Sequence, residues 1–209
     1  MEDVLEVYAR PRDSKRPLVC LDEFCKQLIG EARPALPPQP GVPARQDYEY
    51  VRHGMCSAFM LYSPLESRRE VRVTGQRTAT RYAETIQWLC DEVYPKAEKI
   101  VLVQDNLNTH GAASLYEAFP AAEALRLKER IEWHYTPKHG SWLNMAEIEI
   151  GVAQRQCLDR RIADQGTVEK ELRHWVRQRN QSNASTDWQF TTAEARTKLK
   201  RLYPSTLMA

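Results

Sequence analysis

The chain has 209 residues, of which 42% are hydrophobic and 28% charged, with a net charge of +2, so it can form one globular core and is neither fibrous nor disordered. No apolar run reaches the length that spans a bilayer, and the acidic start of the chain lacks the features of a signal peptide. The five cysteines are odd in number and form no C-x-x-C pair, so free thiols in a reduced, cytoplasmic protein fit far better than a disulfide framework or a zinc knuckle.

Charge is unevenly distributed along the chain. Residues 151–209 contain 11 lysines and arginines against 6 aspartates and glutamates, a balance of +5, whereas residues 1–150 contain 19 against 22, a balance of −3. A basic C-terminal segment beside an acidic core suits a polyanion laid across the molecule. A solvated helical face explains the same charges equally well.

The first half of the chain alternates between strands and loops. Residues 1–10 resemble the end of a helix. The short strand that follows, residues 18–21, is apolar on both faces and is therefore expected to be central in a sheet. Residues 33–45 contain five of the twelve prolines and are expected to form an extended loop. Next come three strand-like stretches (48–53, 55–62 and 70–74), whose short separations predict an antiparallel meander, and a helix at 78–94.

The second half alternates helices with two further strands. The predicted order is a strand at 99–104, helices over 112–130 broken near Pro120, a strand at 131–135, a helix over 141–160 and two C-terminal helices, the last with a capping box at Thr191 and Glu194. This order is that of a ribonuclease H-like α/β domain, a mixed five-stranded sheet flanked by helices. The expected organisation is an N-terminal helix and linker (1–17), the ribonuclease H-like domain (18–160) and a C-terminal helical extension of the same domain (161–209).

Three acidic residues stand where this fold would gather them. Asp22 follows the central strand, Asp105 follows the apolar strand that lies beside it, and Glu147 lies on the following helix. Mg²⁺ binds carboxylate and phosphate oxygens, and two such ions can stabilise both the attacking and the leaving oxygen of a phosphoryl transfer. We therefore predict a two-metal site with Asp22 as the shared ligand, and an enzyme that acts on nucleic acid.

Each of these acids also has a purely structural interpretation. An aspartate after a strand is most often a turn or cap residue, and Glu23 and Glu31 flank the first site. Glu149 competes with Glu147, but on a helix it points about 200° away. On a helix Glu147 shares one stripe with Asn144 and Gly151, and Gly151 leaves room for metal or substrate. This setting favours Glu147, because Glu149 has none comparable.

Several polar residues are candidates for DNA contacts. His139 and Lys138 precede the third acid and suit a phosphate contact, and Asn106 follows the second. His110 is compatible with a DNA contact, with support of a metal ligand, or with an ordinary loop position, and Trp142 with base stacking or, preferably, core packing. Arginines on the two successive helices of the basic segment are expected to contact phosphates in part, namely Arg155, Arg160, Arg161, Arg173, Arg177 and Arg179. The chain contains no Walker loop, GxGxxG, GxSxG or HExxH motif.

The combined motif resembles the DDE domain of mariner-like bacterial insertion-sequence transposases, nearest to the IS-six-thirty group. The matching residues are the first-acid strand 19–23, Asp105-Asn106 with His110, the turn Tyr135-Thr136-Pro137, and Leu143-Asn144-Met145-Ala146-Glu147, where Met145 replaces the usual proline. The resemblance covers about residues 1–204. It implies a catalytic triad of Asp22, Asp105 and Glu147, two Mg²⁺ or Mn²⁺ ions, cut-and-paste DNA transposition in a bacterial cytoplasm, double-stranded transposon-end and target DNA as partners, and a homodimer on paired ends.

Transposases of this kind carry helix-turn-helix domains ahead of the catalytic domain, and this sequence starts just before the first catalytic strand. The expectation is a catalytic fragment, a truncated product or the second product of a split frame, without sequence-specific end recognition. Two other functions stay open: a non-catalytic DNA-binding remnant that regulates a full-length transposase, and a free-standing metal-dependent nuclease.

Overall fold

The fold is that of a computed structural model, which describes residues 1–45, 47–107 and 110–203. The end of the predicted C-terminal extension and of the family resemblance, residues 204–209, lies outside the described residues, as do residues 46, 108 and 109. No helix within the described ranges is long and apolar enough to cross a membrane.

Five strands form one mixed sheet in the order β3-β2-β1-β4-β5. The strands are β1 (Leu18–Glu31), β2 (Tyr50–Ser63), β3 (Arg68–Thr74), β4 (Ile100–Gln104) and β5 (Ile131–Tyr135). The first three strands pair antiparallel, and β4 and β5 add in parallel on the other side of β1. The predicted ribonuclease H-like α/β sheet, with the first strand central and the fourth beside it, is confirmed.

Strand β1 is much longer than predicted, because it continues from Leu21 to Glu31. Its first part is buried in the sheet, whereas the later part pairs only with β2 and alternates in exposure. A two-stranded ribbon is held mainly by its backbone hydrogen bonds, so its side chains need not be apolar. The polar and apolar residues beyond Leu21 therefore formed no apolar run from which a strand could be predicted. Asp22 therefore lies inside a strand, at the point where pairing with β4 stops, and not at a strand end.

Strand β2 unites two of the predicted stretches, 48–53 and 55–62. The register with β1 shifts between Gln27 and Ile29, and Gly54 on β2 has a φ of +94°. This is a β-bulge, and glycine tolerates the positive φ that it requires here. The break that the sequence suggested is thus a bulge within one strand.

Seven α-helices surround the sheet in the described part of the chain: α1 (Glu2–Tyr8), α2 (Ala79–Trp88), α3 (Ala112–Ala118), α4 (Ala121–Arg130), α5 (Met145–Gln156), α6 (Gln165–Gln181) and α7 (Thr192–Lys198). A π-helical segment, Leu89–Val93, extends α2, so that the predicted helix at 78–94 is found in two forms. Thr191 and Glu194 form the predicted capping box of α7.

Each face of the sheet has its own apolar core. Helices α1, α5, α6 and α7 cover one face, with Val4, Ile150, Leu172 and Ala195 among the buried residues. Helices α2, α3 and α4 cover the other, with Tyr82, Leu115 and Leu127. The N-terminal helix and the C-terminal helices therefore share one core with the sheet that carries the acids.

Candidate active site

Asp22 and Asp105 occupy matching positions on neighbouring parallel strands. The register of β1 and β4 pairs Leu18 with Val101 and Cys20 with Val103, an offset of 83 residues. Asp22 and Asp105 are separated by the same 83 positions, so the register continued by two residues sets them side by side. Cys20 and Val103 belong to the core beneath α5, and side chains two residues further along a strand point to the same face. Both carboxylates thus belong to the α5 side of the sheet.

Asn144 ties α5 to the first acid. Its amide nitrogen donates to the carbonyl oxygen of Leu21 at 2.8 Å and to Asp22 Oδ2 at 3.2 Å, while its Oδ1 accepts from the backbone N–H of Ala146 at 3.1 Å. Asn144 is fully buried and is the N-cap of α5. The sequence prediction that placed it on the helical stripe of Glu147 was therefore wrong: the helix starts one residue later, and the side chain holds Asp22.

Asp22 is an unusual carboxyl group because it is only 8% exposed. Burial, which disfavours the charged form, raises its pKa from 3.8 to about 7, and the nearby charges of Asp105 and Glu147 raise it further. A hydrogen bond from the backbone N–H of Glu23 at 2.8 Å opposes this effect in part. Asp105 and Glu147 are thus both close enough to Asp22 for their charges to act on it.

Asp105 is held in place by a hydrogen bond to His110. The Nδ1 atom of His110 lies 2.5 Å from Asp105 Oδ1, and the imidazole is almost completely buried. Although burial lowers the pKa of His110, the hydrogen bond to Asp105 and the negative charges of Asp105 and Glu23 outweigh it and raise the pKa from 6.5 to about 9. The sequence left three roles open for His110: a DNA contact, support of a metal ligand, or an ordinary loop position. The observed position favours support of Asp105, because a buried ring presents no surface to DNA.

Glu147 and Glu149 differ sharply in environment. Glu147 is exposed in the first turn of α5, where the positive end of the helix dipole favours a carboxylate. Glu149 points away from it, as expected, but the expectation that it has no special setting was wrong. It is fully buried between the guanidinium groups of Arg69 and Arg179. Glu149 is therefore a structural residue, and Glu147 alone is available to a substrate.

A groove of about 390 Å³ opens beside the second acid. Asp105 and Asn106 line one side of it, and the turn that contains Lys138 and His139 lines the other. Lys138, His139 and Asn106 are all exposed, and His139 has a left-handed φ of +61° that is uncommon for a residue with a side chain. The three residues thus face solvent around the groove that Asp105 lines, as a substrate contact requires.

The predicted DNA-binding arginines have different surroundings. Arg161 binds the β1–β2 ribbon through Glu31 Oε2 at 2.6 Å and the carbonyl oxygen of Glu49 at 3.1 Å. Arg155 is exposed, and its Nη1 lies 3.5 Å from the point that a Cβ on Gly151 would occupy. Its guanidinium therefore folds back along α5 towards the stripe of Glu147, whereas that of Arg161 is engaged elsewhere.

The other four arginines of the predicted set also differ in their contacts. Arg160 pairs with Glu171 and Arg173 with Glu169, both on the surface, while Arg179 contributes to the buried pair with Glu149. Arg177 is exposed.

Trp142 lies near the same groove and is 45% exposed, against the preferred expectation that it packs in the core. Its ring contacts Phe190 edge to face, with centroids 5.5 Å apart. A ring with this much exposed surface is compatible with the alternative of stacking on a base.

The donor set fits a hard divalent cation. Three carboxylates supply only oxygen ligands, as Mg²⁺ and Mn²⁺ prefer, and a cation would favour the ionised form of Asp22 that burial opposes. Among the described residues no three His, Cys, Asp or Glu side chains form a ready coordination cage. Unpaired carboxylates repel one another, and Mg²⁺ commonly completes its shell with substrate phosphates and water.

The class of protein follows from a comparison with known families. Residues 17–169 match the family model described as DDE superfamily endonuclease, and the chain belongs to that family. A comparison with curated proteins finds none that matches significantly.

Two solved structures are similar in fold. One is a Mos1 transposase paired-end complex with the left transposon end, at 18% identity and a TM-score of 0.54 over 84% of this chain and 53% of the other. The second is a Mos1 strand transfer complex, at 18% identity and a TM-score of 0.49 over 83% and 51%. This chain spans about half the length of these relatives.

Proposed function

We propose that the chain is the catalytic domain of a DNA transposase of the mariner-like, IS-six-thirty type. Its triad is Asp22, Asp105 and Glu147, and it hydrolyses and joins phosphodiester bonds at transposon ends. The observation that carries the proposal is the continued register of β1 and β4, which brings Asp22 beside Asp105 on the face covered by α5. Such an arrangement of acids has no structural purpose in itself, because each carboxylate raises the energy of the others.

The three carboxylates would hold two Mg²⁺ or Mn²⁺ ions, with Asp22 shared. When bound, these ions supply the positive charge that activates water and stabilises the attacking and leaving oxygens of an in-line displacement. The protein contributes fixed geometry: Asn144 orients Asp22, and His110 orients Asp105. Rigid positioning of this kind lowers the barrier because little reorganisation is needed during the reaction.

Double-stranded DNA is the proposed substrate, and the exposed stripe of α5 suggests its path. Glu147, Gly151 and Arg155 succeed one another at intervals of four residues, so they lie along one side of the helix. Arg155 would bind a phosphate two turns from the third acid. Lys138 and His139, across the groove from Asp105, would bind the backbone on the other side of the reacting bond.

The Mos1 transposase complex with a left transposon end supports DNA as the partner. Because the chain spans only half of that protein, a homodimer on paired ends and a bacterial cytoplasmic setting are proposed from the resemblance alone. A regulatory DNA-binding remnant and a simple nuclease are the competing functions.

One experiment separates these functions. An oligonucleotide duplex with a free 3′-hydroxyl, taken from the DNA that flanks the gene, is incubated with supercoiled plasmid, Mn²⁺ or Mg²⁺, and the protein. A transposase joins the oligonucleotide to the plasmid, a nuclease only nicks the plasmid, and a regulatory remnant binds DNA without either reaction. The Asp22→Asn and Asp105→Asn variants should lose both joining and nicking, and retention of either activity would overturn the proposal.

A further inference from the structure

Glu23 is a buried carboxylate that the proposed reaction does not use. Its side chain is 3% exposed and points to the face of the sheet opposite Asp22. Within the described residues, neither carboxylate oxygen has a hydrogen bond of good geometry. Its nearest charged neighbours are Arg77 Nη1 at 3.1 Å and His110 Nε2 at 3.5 Å, both from Oε1. A carboxylate is costly to bury, so a residue that remains in such a place needs a reason.

His110 stands between this carboxylate and the second acid of the triad. Its Nδ1 faces Asp105 at 2.5 Å, and its Nε2 faces Glu23. One nitrogen of the imidazole is hydrogen-bonded to a carboxylate and the other is in electrostatic contact with a second carboxylate, so the ring is oriented along the line between them.

One face of the ring is held as well, and so is the backbone of His110. It stacks on Tyr82 with centroids 4.8 Å apart and an interplanar angle of 21°. The Tyr82 hydroxyl donates to Gln104 Oε1 at 2.7 Å, and Gln104 Nε2 donates to the backbone oxygen of His110 at 3.1 Å. Tyr82 and Gln104 are completely buried. The imidazole is therefore anchored to α2 and β4, the strand that delivers Asp105.

We propose that Glu23 and His110 are positioning residues for the metal site, a role that rests on the proposed function. Glu23 fixes the ring of His110, and His110 fixes Oδ1 of Asp105, which leaves Oδ2 free of this hydrogen bond and available to a cation. Outer partners of this type orient metal ligands, and their loss typically weakens metal binding by about 10- to 100-fold. Glu23 thus acts on the second acid through the histidine, from the opposite face of the sheet to Asp22.

Metal affinity, measured without any reaction, tests the chain of contacts. Mn²⁺ binding to the full chain is followed by electron paramagnetic resonance for the wild type, His110→Phe, His110→Asn, Glu23→Gln and the double variant His110→Phe/Glu23→Gln. Phenylalanine keeps the stack on Tyr82 but removes both nitrogens, whereas the asparagine amide supplies a donor close to the position of Nδ1. We expect about 10- to 100-fold weaker binding for His110→Phe and recovery to within a few-fold of wild type for His110→Asn.

The double variant distinguishes a positioning role from direct metal binding by Glu23. If Glu23 acts through His110, Glu23→Gln weakens Mn²⁺ binding in the wild-type background and has no further effect in His110→Phe. Additive losses would mean that Glu23 acts independently, and the proposal would be overturned. Unchanged affinity in Glu23→Gln, or equal losses in His110→Phe and His110→Asn, would overturn it as well.

The outcome is separable from that of the proposed function. Wild-type protein that binds Mn²⁺ through Asp105 but neither nicks nor joins DNA would refute the transposase function and leave the positioning role intact. Transposase activity together with normal Mn²⁺ affinity in His110→Phe would overturn the positioning role and leave the transposase function intact. Absence of any Mn²⁺ binding by the wild type would refute both. Should His110→Phe fail to fold, His110→Asn and Glu23→Gln are compared by themselves, and wild-type affinity in Glu23→Gln then overturns the proposal.

Discussion

Arg69 and Glu149 form a two-pronged ion pair in the interior of the protein. Arg69 Nε donates to Glu149 Oε2 at 2.7 Å and Nη2 donates to Oε1 at 3.0 Å, with both side chains completely buried. Arg179 binds the same two oxygens at 3.0 and 2.9 Å. One carboxylate thereby joins strand β3, helix α5 and helix α6, and it does so two residues from the third acid of the proposed triad.

Glu149→Gln should destabilise the protein strongly. The change leaves the charges of Arg69 and Arg179 without their counter-ion in a buried place, and breaking a buried pair typically costs about 3–5 kcal/mol. Urea denaturation followed by tryptophan fluorescence measures the loss. The matched control is Glu169→Gln, which removes an exposed pair with Arg173 on α6 and should cost well under 1 kcal/mol. Equal stabilities of the two variants would show that the buried pair contributes nothing.

Glu147→Gln should have the opposite profile. Glu147 is exposed, so its loss should leave the unfolding midpoint nearly unchanged, while removal of one preorganised charge from the reaction site should slow cleavage and joining by about 10²-fold or more. The experiment compares initial rates per folded molecule with those of Glu149→Gln, whose folded fraction should stay active. If Glu149→Gln loses its specific activity and Glu147→Gln keeps it, the assignment of the third acid is wrong.

The order of elements and the central position of β1 could be predicted because buried strands and amphipathic helices leave periodic apolar patterns. The ribbon beyond Asp22 could not, since its backbone pairing with β2 imposes little on its side chains. The start of α5 was misplaced although a signal was present: Asn144 with Glu147 three residues later is a common N-cap pattern.

The contacts around the acids were beyond reach of the sequence for a different reason. His110 meets Glu23 across 87 positions, and Arg69 meets Glu149 across 80, as a consequence of the packing of distant elements. Glu23 and Glu149 were seen only as competitors of the neighbouring acids. The roles of these two glutamates depend on their burial. The sequence does not indicate that burial, because neighbouring residues in the chain do not show which distant elements will cover a charged side chain.

The stability of the metal-free protein should fall as the pH rises from about 4 to about 7. The pKa of Asp22 is 3.8 in its ordinary state and about 7 in the fold, so within this window the folded protein binds a proton that the unfolded chain has released. Folding is then progressively disfavoured with increasing pH, by up to about 4 kcal/mol at neutral pH for a pKa difference of this size. Urea denaturation in a chelator at several pH values measures the slope, which Asp22→Asn should flatten. A slope that is the same in both proteins would contradict the raised pKa.

Gly151→Ala separates the needs of the fold from those of the substrate. A Cβ at this position would meet only Arg155 Nη1 at 3.5 Å, an ordinary contact, and alanine favours a helix over glycine by about 1 kcal/mol. We expect the variant to be slightly more stable by urea denaturation. We also expect it to bind DNA more weakly, because the added methyl group occupies space beside Glu147 through which the DNA would approach α5. Full DNA affinity and activity in this variant would mean that the DNA does not approach α5 at Gly151.

Arg155→Gln should weaken DNA binding and reduce its dependence on salt. Each phosphate contact releases counter-ions, so the loss of one lowers the slope of log affinity against log salt concentration by about 1. Arg161→Gln is the matched control, because its guanidinium already binds Glu31 and the backbone at Glu49 and is not available to a phosphate. Fluorescence anisotropy with a labelled duplex, at several salt concentrations, gives both slopes. We expect the wild-type slope in Arg161→Gln and the smaller slope in Arg155→Gln, with affinity lowered to a similar extent on duplexes of unrelated sequence. Identical slopes in the two variants would exclude the path along α5, and a smaller slope in Arg161→Gln alone would move the DNA towards the β1–β2 ribbon.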